Sequence, residues 1–323
     1  MAPQNRPTEI VPFGPAAIRR GAKLIAEGLP VAIPTETVYG LAADATNEAA
    51  VARIYQAKGR PSFNPLIVHV ADLEQAERLG RFSDAARAAA LAWWPGPLTL
   101  VVPLRDDSGL AVDVTAGLGT VALRCPAHEA MRQLLRATGS PLAAPSANAS
   151  GGISPTSADH VLRSLDGRVP LIIDGGPTEL GLESTIVAYT EERPRLLRPG
   201  PIAFEEISAL SSLAEAGPSN RIEAPGQMRS HYAPAKPTRL DATSAESDEW
   251  LIGFGAVPGH DTLSAKGDLA EAAARLFACL HRADLQPRAR IAVAPVPKQG
   301  IGVAINDRLS RAAAATPDDV RGA

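Results

Sequence analysis

Pro30-Val31-Ala32-Ile33-Pro34-Thr35-Glu36-Thr37-Val38-Tyr39-Gly40-Leu41 is the stretch on which the architecture turns. Its first four residues read as a short buried strand, too brief for a helix and apolar throughout. That strand runs straight into Thr35, Glu36 and Thr37, and polar residues at a strand end are where open α/β sheets build ligand sites. Upstream, Gly14-Pro15 opens a helix with proline in its first turn. Ile18, Ala22 and Ile25 then recur at helical spacing until Gly28. Downstream, Asn47 begins a second helix through Tyr55 and Ala57, residues 66–70 form a strand, and Ser83 caps an alanine-rich helix to Trp94. Residues 98–104, 120–125, 171–174 and 184–189 are further β-rich runs, with helices at 128–137 and 157–165 between them. The alternation predicts a twisted α/β sheet of mixed strand direction with flanking helices.

Residues 213–237 change character, being rich in Ala, Pro, Gly, Ser and Asn, and read as an interdomain linker. Beyond them a strand (249–254), a helix (269–281), a strand (289–294) and a final helix (302–314) make a smaller α/β unit. The expected division is 8–212 for the main domain, 213–237 for the linker and 238–323 for the small domain.

The bulk numbers narrow the function. At 323 residues the chain can bury two cores. A net charge of −3 gives no summed positive field for general nucleic-acid binding. Cys125 and Cys279 are the only cysteines, so a zinc site of CxxC spacing is excluded and a reducing cytoplasm is the simplest setting. The first twelve residues lack the apolar core of a signal peptide, and the most apolar segment, 91–104, is short and interrupted by Pro95, Pro97 and Pro103. A soluble cytoplasmic protein, with no membrane contact, is expected.

No Walker loop, dinucleotide fingerprint, Gly-x-Ser-x-Gly elbow or metal-spaced His/Asp/Glu cluster is present. A nucleotide would have to be held by side chains from several segments. Lys58, Arg60 and Arg198 lie beside Gly/Pro turns and suit phosphate, although each alone also fits a solvated surface cation. Arg124 closes an apolar strand, where it fits either a carboxylate clamp or an internal salt bridge. Ser146 and Asn148 follow a strand end among small residues and offer phosphate donors or simple turn caps. Thr35, Thr37 and Tyr39 alternate, so they share one face if the strand continues; β-propensity explains them equally. His69 ends an apolar strand as a core or a site residue, while His128 and His160 sit at helix starts and read as structural.

Taken together, the motifs resemble the two-domain threonylcarbamoyl-AMP synthases, whose first domain has the YrdC-like fold. PTETVYGL (34–41), KGRPSFNPLIVHV (58–70), WWPGPLTL (93–100), TAGLGTVALRCPAH (115–128), PLAAPSANASGGISPT (141–156), IIDGGP, GLESTIV and LLRPGPI stand in the family's order. GQMRSHYAPAKP and GIGVAINDRLSRAA look like the family's linker and second domain, a smaller Rossmann-like α/β unit. The resemblance implies that L-threonine, bicarbonate and ATP yield threonylcarbamoyl-AMP and pyrophosphate. A separate tRNA threonylcarbamoyl transferase complex would then use the product, with weak or no direct tRNA binding here. It implies that Thr37, His69, Arg124, Ala144 and Ser184 hold threonine. Arg60, Asn64, Thr120, Ser146, Ser154, Arg198 and Tyr232 would hold ATP, and Lys58, Arg60, Ser146 and Asn148 would form the catalytic set. Mg2+ would ride on the ATP phosphates, with no protein metal site. The rival expectations are a YrdC-like RNA-binding module and a carbamoyltransferase of hydrogenase maturation.

Overall fold

The computed structural model describes residues 7–191, 193–208, 223–225 and 232–314. Most of the expected linker, residues 213–222 and 226–231, lies outside them.

Ten strands form one mixed sheet. They are β1 (Glu9–Pro12), β2 (Val31–Pro34), β3 (Tyr39–Asp44), β4 (Ile67–His69), β5 (Leu98–Pro103), β6 (Thr120–Arg124), β7 (Leu142–Ala143), β8 (Leu171–Asp174), β9 (Thr185–Ala188) and β10 (Arg195–Arg198). Their spatial order is β1-β8-β2-β3-β7-β4-β6-β5-β9-β10. Parallel pairs such as β4–β6 and β5–β9 sit beside antiparallel ones such as β2–β3 and β5–β6, as the alternating pattern requires. Among the described residues eight helices accompany the sheet: α1 (Pro15–Ala26), α2 (Glu48–Lys58), α3 (Leu73–Leu79), α4 (Asp84–Trp93), α5 (Val112–Thr115), α6 (Glu129–Thr138), α7 (Ala158–Leu165) and α8 (Phe204–Ser208). Their starts follow local chemistry. Pro15 is at the first turn of α1, and Asn47 Oδ1 accepts from Ala50 N and Ser83 Oγ from Ala86 N at the caps of α2 and α4.

Because successive strand residues point to opposite faces, each buried strand feeds two cores. Val31, Ile33, Leu171 and Ile173 pack with Ile18, Ile25, Met131 and Leu134 on one face. Ala32 and Ile172 turn to the other, against Val51, Ile54, Leu100, Leu123 and Val161. With both faces covered, β2 shows no polar alternation.

The smaller unit is a parallel sheet of β11 (Thr238–Arg239), β12 (Glu249–Gly253), β13 (Asp261–Thr262) and β14 (Arg290–Val293), in the order β11-β14-β12-β13. Helices α9 (Leu269–Asp284) and α10 (Gly302–Ala313) pack on it. Its core of Ile252, Leu276, Phe277, Leu280, Ile305 and Leu309 also takes in Val38, Ile153 and Leu182 from the larger domain. The two units therefore share apolar burial. Gly181 marks the closest approach: it sits at φ +68, and a Cβ there would lie 2.5 Å from the Ala274 carbonyl oxygen of α9.

One reading needs correction. Thr35, Thr37 and Tyr39 do not lie on one continuous strand. Residues 35–38 are the turn joining antiparallel β2 and β3: Thr35 N donates to Val38 O, and the Thr35 and Thr37 hydroxyls lie 2.7 Å apart. Tyr39 turns away and donates from its hydroxyl to Gly176 O. Proline and threonine at this point allow the chain to reverse while side-chain hydroxyls satisfy the turn's backbone. Arg198 is the last residue of β10, which is not among the strands expected from the sequence.

Gly181→Ala must push the loop off α9 as well as strain its own backbone. Overpacking of this kind costs about 1–3 kcal/mol, so the urea midpoint should fall at unchanged slope; an unmoved midpoint would contradict the close packing.

Candidate active site

The polar ends of these strands meet at an open cleft. Its walls include Thr35, Thr37, Arg60, His69, Arg124, Ala144, Ser146, Glu183, Ser184, Arg198 and Tyr232.

Register places the first group. On parallel β4 and β6, His69 pairs with Arg124, so the two side chains stand next to each other on one face. Both are buried. The Arg124 Nη2 donates to Glu36 Oε1 at 2.6 Å, Nη1 to Thr37 Oγ1 at 2.9 Å and Nε to Gly96 O at 3.2 Å. The second Glu36 oxygen accepts from Ala127 N. Burial alone would raise the Glu36 carboxyl, but the Arg124 charge and hydrogen bond hold it below its ordinary value. Burial, and then the adjacent guanidinium, push His69 down to about 3, so its imidazole is neutral. Its Nδ1 is buried with no hydrogen-bond partner among the described residues. An orphaned acceptor or donor beside a cation suits a small ligand carrying both a carboxylate and a hydroxyl.

The second group is cationic. Arg60 follows α2 and donates from Nε and Nη2 to the carbonyls of Asn64 (3.2 Å) and Pro65 (2.8 Å). Arg198 donates from Nε and Nη2 to the Ser184 carbonyl, and from Nη2 to Ser184 Oγ at 3.1 Å. Ser184 Oγ in turn lies 2.7 Å from Thr99 Oγ1. Burial lowers both guanidinium groups, Arg60 to about 10. These cations are anchored on neutral carbonyls, which leaves their charge uncancelled at the cleft.

Lys58, Asn64, Thr120, Asn148 and Ser154 are not part of the cleft lining. Lys58 Nζ donates to the carbonyls of Ser146 and Asn148, at 2.5 Å each, and burial followed by Arg60 pushes its amine well below the usual value. It pins the loop that carries Ser146. The bridge between Gly40 and Ser146 fixes the same loop on β3. Asn148 Nδ2 donates to Ala149 O and Gly152 O. Thr120 is half-buried at the start of β6. Ser154 is fully buried, and its hydroxyl donates to Glu183 Oε1. Tyr232 is buried at φ +63, a backbone region that non-glycine residues adopt at a cost and mostly at functional sites. Two carboxylates contact the expected residues and carry no role in the motif reading: Glu183, on the cleft wall and bonded to Ser154, and Glu36, behind the wall and bonded to Arg124. The signal was in the motifs themselves, since a cation at the end of an apolar strand needs a counter-charge when buried.

The fold and cleft define a mixed α/β domain with a cationic site, joined to a small parallel α/β domain. A family model described as "Telomere recombination", covering Sua5, YciO and YrdC proteins, matches residues 23–200. A second, "Threonylcarbamoyl-AMP synthase, C-terminal domain", matches residues 202–314. The Bacillus subtilis threonylcarbamoyl-AMP synthase is 41% identical over 92% of this chain and 92% of its own length. The Pyrococcus abyssi synthase is 40% identical over 91% of this chain and 93% of its own. The crystal structure of P. abyssi Sua5 complexed with L-threonine superposes with a TM-score of 0.86 at 37% identity, over 95% of this chain and 96% of that one. The chain belongs to the threonylcarbamoyl-AMP synthase family. No described helix is long and apolar enough to cross a membrane.

Two outcomes follow from the geometry. Arg124→Met strands Glu36 as a buried charge and should cost about 3–5 kcal/mol; adding Glu36→Gln should recover part of that loss in urea titrations, and no recovery would refute the pairing. His69 is depressed to about 3 in the fold, so the unfolded chain binds the extra proton once pH falls below its ordinary value near ~6.5. Stability should therefore decline as pH drops through that window, and His69→Asn should decline less steeply; identical slopes would contradict a buried neutral imidazole.

Proposed function

We propose that this chain joins L-threonine, bicarbonate and ATP into L-threonylcarbamoyl-AMP with release of pyrophosphate. The observation that carries the reading is that one cleft gathers two kinds of cation. Arg124, paired with Glu36 beside neutral His69, and the carbonyl-anchored Arg60 and Arg198 line the same wall.

In this reading Arg124 takes the threonine carboxylate while keeping Glu36. Thr37, His69, the Ala144 backbone and Ser184 surround the amine and side chain. The amine adds to inorganic carbon to give a carbamate, losing the elements of water. A carbamate oxygen then attacks the α-phosphorus in line, the bond from that phosphorus to the bridging oxygen breaks, and pyrophosphate leaves with the electron pair. No protein nucleophile is needed; the chain contributes placement and charge. Arg60, Ser146 and Arg198 face the phosphates, with Tyr232 over the nucleotide. Lys58 and Asn148 act through the Ser146 loop, and Asn64, Thr120 and Ser154 complete the ATP set from behind and beside the wall. Mg2+ enters as part of the MgATP substrate. Among the described residues no three His, Cys, Asp or Glu side chains converge to hold an ion, and the reading keeps the cation on the triphosphate. The main domain spans 8–212, the linker 213–237 and the small domain 238–323. The product passes in the cytoplasm to a separate tRNA threonylcarbamoyl transferase complex, and a chain of net charge −3 binds tRNA weakly if at all.

Pyrophosphate release should require ATP, threonine and bicarbonate together, and threonylcarbamoyl-AMP should be recoverable by mass. Release that continues at full rate without threonine would overturn the reading. Arg124→Lys keeps the charge but loses the planar fork, so KM for threonine should rise about 10- to 100-fold with KM for ATP nearly unchanged; equal changes in both would remove Arg124 from the carboxylate.

A further inference from the structure

Glu183 sets a problem for a polyphosphate cleft. It is a carboxylate on the wall that also carries Arg198 and Tyr232. Left bare, it would repel the nucleotide. Its Oε1 accepts from Ser154, and its Oε2 accepts from Arg308 Nε at 2.9 Å. Arg308 belongs to α10, in the small domain, and is fully buried. It also donates from Nη1 to Asp307 at 2.7 Å, and its guanidinium carbon lies 5.2 Å from the centre of the Tyr232 ring. Phe277 of α9 backs the same ring at 5.6 Å. Arg308 Nη2 is buried with no hydrogen-bond partner among the described residues.

Ser154 is held from the same side at its other end. His281 Nε2 of α9 donates to the Ser154 carbonyl at 3.2 Å, with its ring stacked on His160 of α7 at 3.8 Å. The small domain thus grips Ser154 through both its polar groups, directly by His281 and through Glu183 by Arg308.

We propose that Arg308 is a positioning residue for the nucleotide half of the cleft: it cancels the Glu183 charge and seats the Tyr232 ring, so the small domain completes the ATP site. The inference rests on the ATP reading above. It assigns the small domain a part in substrate binding that apolar packing alone would not require. The Glu183–Arg308 pair is buried on both sides, where a lone carboxylate is expensive and acts on nearby phosphate with little screening. Burial would lower the Arg308 guanidinium, yet the Tyr232 hydroxyl and the Glu183 and Asp307 carboxylates hold it above its ordinary value, so it stays charged.

The test uses the full chain and four variants: Arg308→Met, Arg308→Lys, Glu183→Gln, and Arg308→Met with Glu183→Gln. MgATP affinity is read by calorimetry without threonine, the two KM values by pyrophosphate release, and folding by urea titration. Arg308→Met should weaken ATP by about tenfold or more while KM for threonine moves less than about twofold. Removing the stranded charge with Glu183→Gln should then restore most of the lost ATP affinity. If Arg308→Met does not fold, Arg308→Lys carries the test, with a smaller loss confined to ATP. A drop in urea midpoint with ATP affinity unchanged would overturn the proposal, as would a double variant as weak as Arg308→Met. Wild-type protein that binds MgATP but makes no threonine-dependent pyrophosphate would fault the functional reading and leave the Arg308 result readable from calorimetry alone.

Discussion

Burying several cations around one cleft is the constraint that organises this protein. Lys58, Arg60, Arg124, Arg198 and Arg308 are each less than a tenth exposed. A buried charge survives only with partners, and the choice of partner differs by role. Lys58, Arg60 and Arg198 rest on backbone carbonyls, which orient a cation without neutralising it. Arg124 and Arg308 rest on carboxylates as well, Glu36 and Glu183. The carbonyl-held set keeps a positive field for an incoming polyanion. The carboxylate-held pair gains directional precision instead, because a bound carboxylate leaves fewer orientations to a planar guanidinium.

The sheet makes this possible. Strand ends from β4, β6, β9 and β10 deliver His69, Arg124, Ser184 and Arg198 to one side, and the turn between β2 and β3 brings Thr35, Glu36 and Thr37 across from them. Burial lowers the Arg60 and Arg198 guanidinium groups, so charge is held there at a cost. In the proposed reaction that charge faces the phosphates, where negative charge develops as pyrophosphate departs.

Much of this was readable in the chain. The strand at 171–174 has the bounds the sequence predicts, the second helix starts at Asn47 as expected, and Ser83 caps its helix, because local pattern and capping chemistry decide them. Strand β3 is not legible in this way, and β7 shows only as the strand end before Ser146. β3 is rich in Ala and Gly and β7 has two residues, so their pairing comes from neighbours in space and not from propensity. The same holds in the site. Arg124 stood out as a charge ending an apolar run. Its pairing with Glu36 depends on a turn and a strand separated by 88 residues. Arg308 sits in a tail motif whose sequence suggests no role for it, since only the docking of α10 against the larger domain brings it to Glu183.

In the proposed reaction the carbonyl-anchored Arg60 and Arg198 take phosphate, and Arg124, held by Glu36, takes the amino acid. The decisive test is a crystal structure with threonine and a non-hydrolysable ATP analogue. Phosphate oxygens should lie within about 3 Å of Arg60 and Arg198, and the threonine carboxylate at a similar distance from an Arg124 still paired with Glu36. Phosphates bound away from both arginines, or a threonine carboxylate that leaves Arg124 untouched, would contradict it.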